Sequence, residues 1–227
     1  MKIEDLFSHI YLLNLDSRTD RLARVSKRLQ AQNLSFERFS GIIPTNAGGF
    51  HLLGMLGCLL SHLGIIQKAI KEDNGNILIF EDDCVLRDDF REQAEKYLDQ
   101  LNGIDWDFLF LGAAWHGAKK KEKLSENLYS LDCVYHTHAY AINKKSLASV
   151  EKVLVTASQV KRNGINIDMV YSKLPFKKIV VRPNLAVQEP DKSNIEASFT
   201  NRLGEYESLD LFEAHCAELT SLKKRIK

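Results

Sequence analysis

Three consecutive carboxylates, Glu81, Asp82 and Asp83, follow directly after the apolar residues 77–80. This short run, Ile-Leu-Ile-Phe, predicts a strand that is buried on both faces. Adjacent carboxylates repel one another unless a cation compensates them, and oxygen ligands favour Mn²⁺ or Mg²⁺. Ligands of α/β sheets bind at the carboxyl ends of the strands. The triplet therefore predicts a metal-dependent site, with an acidic loop that caps the next helix as the alternative.

The orientation of the triplet follows from the geometry of a strand. Successive side chains point to opposite faces, so Glu81 and Asp83 are expected on one face and Asp82 on the other. One face can then reach a metal ion and a nucleotide, while the other face reaches a different group.

A second chemical signal follows the first predicted strand, at residues 10–15. Asn14 lies at the end of this strand, and Arg18, Arg21 and Arg24 follow at intervals of three. That spacing places the three arginines on one side of a helix. Guanidinium groups at the end of a strand indicate contact with an anion or a nucleotide. The alternative is a solvated basic helix face.

Two further positions carry side chains that bind ligands in other proteins. Ser61 and His62 lie inside a predicted helix at 57–70, where a structural histidine is the alternative to a functional one. Trp115 lies on a predicted loop at 112–124. We expect it to stack on a sugar ring, and a partly buried anchor is the alternative.

The other segments alternate between strand and helix patterns, which indicates one mixed α/β domain over residues 1–227. No internal repeat or linker interrupts it. The remaining elements are predicted as strands at 36–39, 107–111, 128–134, 138–142 and 179–182, and as helices at 88–101, 144–155, 165–174 and 209–222.

Composition excludes some classes of function. The chain has 227 residues and a net charge of +1, so no overall field attracts nucleic acid. No uninterrupted apolar run approaches the length of a membrane span. Residues 1–9 carry acids and lack the apolar core of a signal peptide. The four cysteines are widely spaced, so we expect reduced, buried thiols in the cytoplasm.

Seven short blocks occur in the order found in one known family. They are Leu13-Asn14-Leu15 with Arg18, Asp20 and Arg21; Gly57-Cys58 with Ser61-His62; Phe80-Glu81-Asp82-Asp83; Leu111-Gly112; Thr137-His138-Ala139-Tyr140; Ile167-Asp168; and Gln188 with Ser193, Ile195 and Glu196. Over residues 10–197 the chain resembles glycosyltransferase family 25, the lipopolysaccharide and lipooligosaccharide hexosyltransferases related to collagen galactosyltransferases. Met55 departs from the pattern, because the family usually has a glutamate there.

The resemblance implies a fold, a reaction and a set of roles. The fold is a GT-A-like nucleotide-binding α/β fold, with a central mixed, mostly parallel sheet flanked by helices. The implied metal ligands are Asp83 and His138. The implied nucleotide-sugar contacts are Asn14, Arg18, Arg21, Ser61, His62, Glu81, Asp82 and Gln188. Trp115 and Tyr140 would contact the acceptor. Asp168 would be the catalytic base, with Glu189 behind it, and a helix cap is the alternative role of Asp168.

The implied activity is an inverting, metal-dependent transfer of a hexose, most often galactose, from a UDP-sugar. The acceptor would be a saccharide or a lipid-linked saccharide of a surface glycan, and no nucleic acid is expected as a partner. One alternative is a non-catalytic protein that binds glycans or nucleotide sugars. Another, a sugar-1-phosphate nucleotidyltransferase, needs a glycine-rich phosphate loop, and residues 14–21 contain no glycine.

The last segment, residues 209–227, combines a helix pattern with a basic end. Such an end favours weak association with the anionic inner face of a membrane, which would bring a cytoplasmic enzyme to a lipid-linked acceptor. The alternative is a docked C-terminal helix whose lysines complement its dipole.

Overall fold

The computed structural model describes residues 1–46, 53–114, 118–159 and 166–189. The strands are β1 (His9–Asn14), β2 (Glu37–Ser40), β3 (Ile77–Glu81), β4 (Cys84–Leu86), β5 (Phe108–Phe110), β6 (Lys121–Lys123), β7 (Leu128–Leu131), β8 (Ala139–Ile142), β9 (Lys178–Val181) and β10 (Ala186–Gln188). The α-helices are α1 (Ile3–Leu6), α2 (Thr19–Ala31), α3 (Leu53–Lys71), α4 (Phe90–Asp99), α5 (Leu147–Gln159) and α6 (Ile167–Lys173). A 3₁₀ turn, Lys144–Ser146, precedes α5.

Eight of these strands form one mixed sheet in the order β2-β1-β3-β8-β5-β9-β7-β6. Parallel pairs join β1 to β2, β1 to β3 and β5 to β9, whereas β7 and β8 run against their neighbours. Six of the eight strands therefore point the same way. Strand β10 pairs with β4 in a separate antiparallel ribbon. A mixed, mostly parallel sheet flanked by helices confirms the predicted fold class.

The alternation of side chains along the central strands divides the core into two layers. Tyr11 of β1 and Ile79 of β3 belong to a cluster that includes buried residues of α3, α5 and α6. Leu12 and Phe80, one position further along each strand, belong to a second cluster with buried residues of α2 and α4. Both faces of the sheet are thus covered, as a nearly continuous apolar strand requires.

Strand β3 confirms the prediction from the apolar run, because residues 77–80 are fully buried. The strand ends at Glu81, and Asp82 and Asp83 form the turn into β4. The predicted alternation of the triplet is therefore wrong beyond Glu81. The physical reason is the ribbon of β4 and β10, which pairs Cys84 with Gln188 and redirects the chain immediately after the triplet.

Helix α3 is the longest helix in the described part of the chain and is apolar enough to cross a membrane by length and composition alone. About half of its most apolar window is buried inside the protein. Leu59, Ile65 and Ile66 are fully buried in the core beneath the sheet. In this structure α3 is thus a core helix, whose apolar character is explained by packing.

Local sequence patterns do not predict α1, β4, β6 or β10, and β6 falls inside the predicted loop at 112–124. Some predictions lie outside the described residues: Trp115, the closing positions Ser193, Ile195 and Glu196, and the helix at 209–222 with its basic end.

Gly112 lies just after β5, where the backbone closely approaches neighbouring groups. A Cβ atom there would lie 2.1 Å from the carbonyl oxygen of Ala186 and 2.4 Å from Nε2 of His138. We expect Gly112→Ala to lower the free energy of unfolding by about 1–3 kcal/mol through overpacking. Gly75→Ala is the control in urea denaturation, because its Cβ would meet only a serine side chain at 3.1 Å. Equal stability of both variants would contradict this packing argument.

Candidate functional site

A cleft of about 360 Å³ opens at the edge of the sheet where β1, β2 and β3 end. The antiparallel strand β8 begins at the same edge, since the amide of Glu81 donates to the carbonyl oxygen of His138. The cleft brings together many of the residues predicted to bind a nucleotide sugar or a metal. Those that line it are Asn14, Arg18, Arg21, Ser61, Glu81, Asp82, Asp83 and Gln188.

Asp82 is held by the first strand and the first long helix. Nδ2 of Asn14 donates to its Oδ2 at 2.8 Å, and Nη1 of Arg21 donates to its Oδ1 at 3.1 Å. The side chains of Arg21 and Asp82 are both buried. The same Arg21 nitrogen lies 3.9 Å from Oδ2 of Asp83, so one guanidinium group compensates two carboxylates.

Asp83 has one satisfied oxygen and one that lacks a partner. Its Oδ2 accepts a hydrogen bond from Gln188 at 2.9 Å. Its Oδ1 is buried and accepts no hydrogen bond from the described residues. Burial, followed by the nearby charge of Glu81, raises the pKa of Asp83 to about 7. Such an oxygen suits a hard divalent cation, which would supply the missing positive charge.

Glu81 faces a different set of partners. Its Oε1 lies 3.1 Å from Nε2 of His62 and accepts a hydrogen bond from Oγ1 of Thr137 at 2.6 Å. Burial acts against ionisation, but the bonds to His62 and Thr137 outweigh it, and the pKa of Glu81 is lowered. The pKa of Glu81 is thus shifted in the opposite direction to that of Asp83.

Asp168 lies behind Glu81, and Thr137 connects the two. The amide of His136 donates to Oδ2 of Asp168 at 3.0 Å, and Oγ1 of Thr137 lies 3.2 Å from its Oδ1. Burial, and then the charge of Glu81, raise the pKa of Asp168. A carboxylate with a raised pKa is a stronger base at neutral pH.

The alternative role of Asp168 as a helix cap is wrong. Asn166 is the residue that caps α6, because its side chain accepts a hydrogen bond from the amide of Met169 at 2.8 Å. Asp168 lies one residue inside the helix, which leaves its carboxylate free to face Thr137.

His138 and Tyr140 are both buried in the protein interior. The backbone of Ala186 is a polar group that the ring of His138 contacts. Burial lowers the pKa of His138, which favours the neutral form that binds metals. Tyr140 is fully buried, and its hydroxyl contacts His62 and Tyr171. A fully buried Tyr140 offers an acceptor no surface, and it instead orients His62.

Glu189, the second candidate base, forms ion pairs with two arginines. Its carboxylate lies 3.0 Å from Nη2 of Arg28 and 3.5 Å from Nε of Arg24. Its amide donates to the backbone oxygen of Asp83 at 2.8 Å. The two arginines fix this carboxylate in place, and the backbone bond to Asp83 holds β10 and Gln188 against the triplet.

Two predicted nucleotide contacts also have local structural partners. Arg18 forms a bidentate ion pair with Asp20, in which each of the two hydrogen bonds is 3.0 Å long. Oγ of Ser61 accepts a bond from the amide of Ile42 at 2.8 Å and donates to the carbonyl oxygen of Gly57. Ser61 therefore supports the backbone that forms one wall of the cleft.

Three residues that sequence analysis did not assign to the site support it: Thr137, Arg28 and Arg38. Thr137 stood next to His138 in one of the family blocks, so a signal for it existed. Arg38 donates to Oδ1 of Asn14 at 3.0 Å, and Arg28 holds Glu189. No local pattern identifies either arginine, because each acts on a residue from a different element.

Thr137 provides a test of the link between the two carboxylates. We expect Thr137→Val to lower the free energy of unfolding by about 1–3 kcal/mol, because it leaves buried oxygens of Glu81 and Asp168 without this donor. The control is Thr156→Val, whose hydroxyl bonds only to a backbone oxygen of its own helix. Guanidinium denaturation of both variants measures the difference. Equal losses of unfolding free energy would show that the hydroxyl of Thr137 contributes no more than that of Thr156.

Comparison with known proteins gives a consistent picture. A model of glycosyltransferase family 25, described as an LPS biosynthesis protein, matches residues 52–164. Procollagen galactosyltransferase 1 of Danio rerio is 22% identical over 200 residues, which cover 76% of this chain and 33% of the relative. Inactive glycosyltransferase 25 family member 3 of Homo sapiens is 30% identical over 142 residues, which cover 60% of this chain and 23% of the relative.

The chain thus spans a third or less of the length of these two relatives. Among solved structures, a glycosyltransferase involved in the glycosylation of the major capsid of PBCV-1 is similar, with 15% identity and a TM-score of 0.39. That similarity covers 65% of each chain.

Proposed function

Because the chain belongs to glycosyltransferase family 25, we propose that it is a metal-dependent transferase that moves a hexose from a UDP-sugar to a saccharide. Galactose is the proposed sugar, since three curated relatives are named procollagen galactosyltransferases. One observation carries the proposal: Asp83 lines the cleft, and its buried Oδ1 accepts no hydrogen bond from the described residues.

The donor set at the cleft fits Mn²⁺ or Mg²⁺. Asp83 would hold the ion directly, with the neutral imidazole of His138 as a second ligand, while Glu81 would contact the ribose of the donor. Such an ion would supply Lewis-acid stabilisation of the negative charge on the diphosphate leaving group.

The chain's own groups would bind and orient the donor. Arg21 is buried beside the triplet, and Arg18 lines the same cleft, so both are placed to contact a diphosphate. Asn14 and Asp82 offer hydrogen-bonding groups to the sugar or the ribose. Gln188 keeps the carboxylate of Asp83 in place.

An inverting transfer needs a base that takes the proton of the acceptor hydroxyl. We assign this role to Asp168, whose pKa is raised by burial and by the charge of Glu81. Glu189 is the weaker candidate, because Arg24 and Arg28 already hold its carboxylate.

The acceptor and the location are further parts of the proposal. The family description, LPS biosynthesis protein, favours a saccharide or a lipid-linked saccharide of a surface glycan. We place the reaction in the cytoplasm, with the basic residues 223–227 at the inner face of the membrane.

A thermal-shift screen of UDP-galactose and UDP-glucose, with and without Mn²⁺, tests the function. A donor that binds only the folded protein raises the melting temperature by mass action. We expect a rise that needs both Mn²⁺ and the donor, and slow donor hydrolysis that a chelator stops. Donor binding without any hydrolysis or transfer would instead support the non-catalytic alternative. The absence of metal-dependent binding to either donor would overturn the proposal.

A further inference from the structure

Cys58, His62 and Glu81 bring a thiol, an imidazole and a carboxylate together beside the cleft. Sγ of Cys58, a ring nitrogen of His62 and a carboxylate oxygen of Glu81 all lie within 4.8 Å of one another. Cys58 and His62 are four residues apart on α3, so both project from the same helix face. Glu81 ends the neighbouring strand β3. Helix α3 thus supplies a thiol and an imidazole, which are soft and borderline ligands, and strand β3 supplies a carboxylate.

The imidazole of His62 is already oriented for metal binding. Its Nδ1 lies 2.7 Å from the hydroxyl of Tyr140, which in turn contacts the hydroxyl of Tyr171 at 3.3 Å. Its Nε2 points toward Oε1 of Glu81 at 3.1 Å. A hydrogen bond at the far ring nitrogen is the usual arrangement around a metal-binding histidine, because it fixes the ring and its tautomer.

The distances require only small movements to hold an ion. Two ligands of a tetrahedral zinc ion, at bond lengths of about 2.0–2.3 Å, lie roughly 3.3–3.8 Å apart. Cys58 and Glu81 also line the cleft, so water can enter and complete the coordination.

The local field favours a cation at this position. Burial, and then the charges of Glu81, Asp168 and Asp83, raise the pKa of the Cys58 thiol well above its ordinary value. The same carboxylates that oppose a bare thiolate attract a divalent cation.

A second group of potential ligands, His9, Glu37 and Glu72, differs in this respect. There the ammonium group of Lys68 lies 3.2 Å from Glu37 and also contacts Glu72, so positive charge is already present.

We propose that Cys58, His62 and Glu81 form a site for a thiophilic divalent cation of the Zn²⁺ class, separate from the oxygen-ligand site at Asp83. Binding replaces the S–H bond of Cys58 with a metal–sulfur bond, and the proton passes to solvent. Mn²⁺ and Mg²⁺ prefer oxygen ligands and do not compete well for a thiolate. This site has a consequence that rests on the proposed function. Zinc would inhibit the transferase, because a Glu81 that is bound to zinc is unavailable to the donor nucleotide.

Cobalt titration of the purified protein tests the site directly, because Co²⁺ occupies zinc sites and a thiolate–cobalt bond absorbs in the near ultraviolet. We expect a saturable absorbance that Zn²⁺ abolishes and that excess Mn²⁺ leaves intact. Cys58→Ser should remove the sulfur absorbance and weaken Zn²⁺ binding at least about tenfold in competition with a chromophoric chelator. Cys133→Ser, which alters a half-buried cysteine elsewhere, should change neither measurement.

Two more variants keep the test decisive. Should Cys58→Ser fail to fold, His62→Gln must show the same weakened Zn²⁺ binding. Asp83→Asn must retain the cobalt spectrum even where it loses Mn²⁺-dependent turnover, which separates the two sites. A cobalt spectrum that is unchanged by Cys58→Ser, or the absence of any thiolate absorbance in the folded wild type, would overturn the proposal without affecting the transferase assignment.

Discussion

Asp83→Asn is expected to reduce Mn²⁺-dependent turnover roughly 100- to 1,000-fold, the range seen when one electrostatic contact to a developing negative charge is removed. The substitution keeps the shape of the side chain and an oxygen that can accept the bond from Gln188. It removes the charge that would hold a divalent cation. Steady-state rates with a UDP-sugar and Mn²⁺ measure the loss. Asp88→Asn, an exposed acid five residues further along, is the matched control and should retain full activity.

The stability of the metal-free Asp83→Asn variant should change in the opposite direction. The folded-state pKa of Asp83 is raised to about 7 from an ordinary value of 3.8. Between about pH 4 and pH 7 the folded state therefore binds a proton that the unfolded state has lost, so the free energy of unfolding falls as pH rises. The full cost approaches about 4 kcal/mol above pH 7.

We accordingly expect Asp83→Asn to melt at a higher temperature than the wild type at pH 8 in a chelator, and to differ less at pH 5. Differential scanning calorimetry across this range provides the measurement. A variant that is less stable than the wild type at pH 8 would show that the ionised carboxylate does not carry this cost, and full turnover would remove Asp83 from the metal site.

Arg21→Met is expected to give the largest loss of stability among the surface and cleft arginines. The guanidinium lies 3.1 Å from Asp82 and 3.9 Å from Asp83, and its side chain is only 8% exposed. Removing it leaves two buried carboxylates without their cation, which costs about 3–5 kcal/mol. For a chain of this size the melting temperature should fall by roughly 6–20 °C. Methionine keeps most of the apolar stem, so the effect reports mainly the charge.

Arg24→Met supplies the matched control for this prediction. Arg24 lies one helical turn further along, is 40% exposed, and pairs with Asp20 at 3.4 Å and with Glu189 at 3.5 Å. Exposed pairs of this kind contribute about 0–1 kcal/mol. Mn²⁺ should narrow the gap between Arg21→Met and the wild type, because an ion bound at Asp83 replaces part of the lost positive charge. If both variants melt within a degree of each other, the buried pair does not support the fold.

Local patterns predicted the parts of this fold that are set by neighbours in the chain. The apolar residues 77–80 predicted β3. The spacing of Arg18, Arg21 and Arg24 predicted one shared side of a helix, and Arg18 and Arg21 both line the cleft. Local patterns do not fix the limits of a strand, because its pairing partner decides where the strand stops. Strand β4 was missed for that reason, since its partner β10 lies about a hundred residues away in sequence.

The site shows the same division. Asn14, Arg21 and the triplet were predicted together, and they meet in one cleft. Tyr140 was predicted to contact the acceptor, but its strand β8 lies between β3 and β5 and is covered on both faces. The ion pair of Arg28 with Glu189 joins residues 161 positions apart, and no periodicity in either segment predicts it.

From the sequence alone it could be determined that three carboxylates end a buried strand, that arginines follow the first strand, and that the chain resembles one transferase family. Those features depend on residue types and short spacings, which the chain order contains directly. Only the tertiary structure decided that Asp82 turns toward Arg21, that Asp83 keeps one buried oxygen without a donor, and that Asp168 is not a cap. The reason is that burial and charge compensation are properties of the assembled neighbourhood, where groups from distant segments share one low-dielectric space.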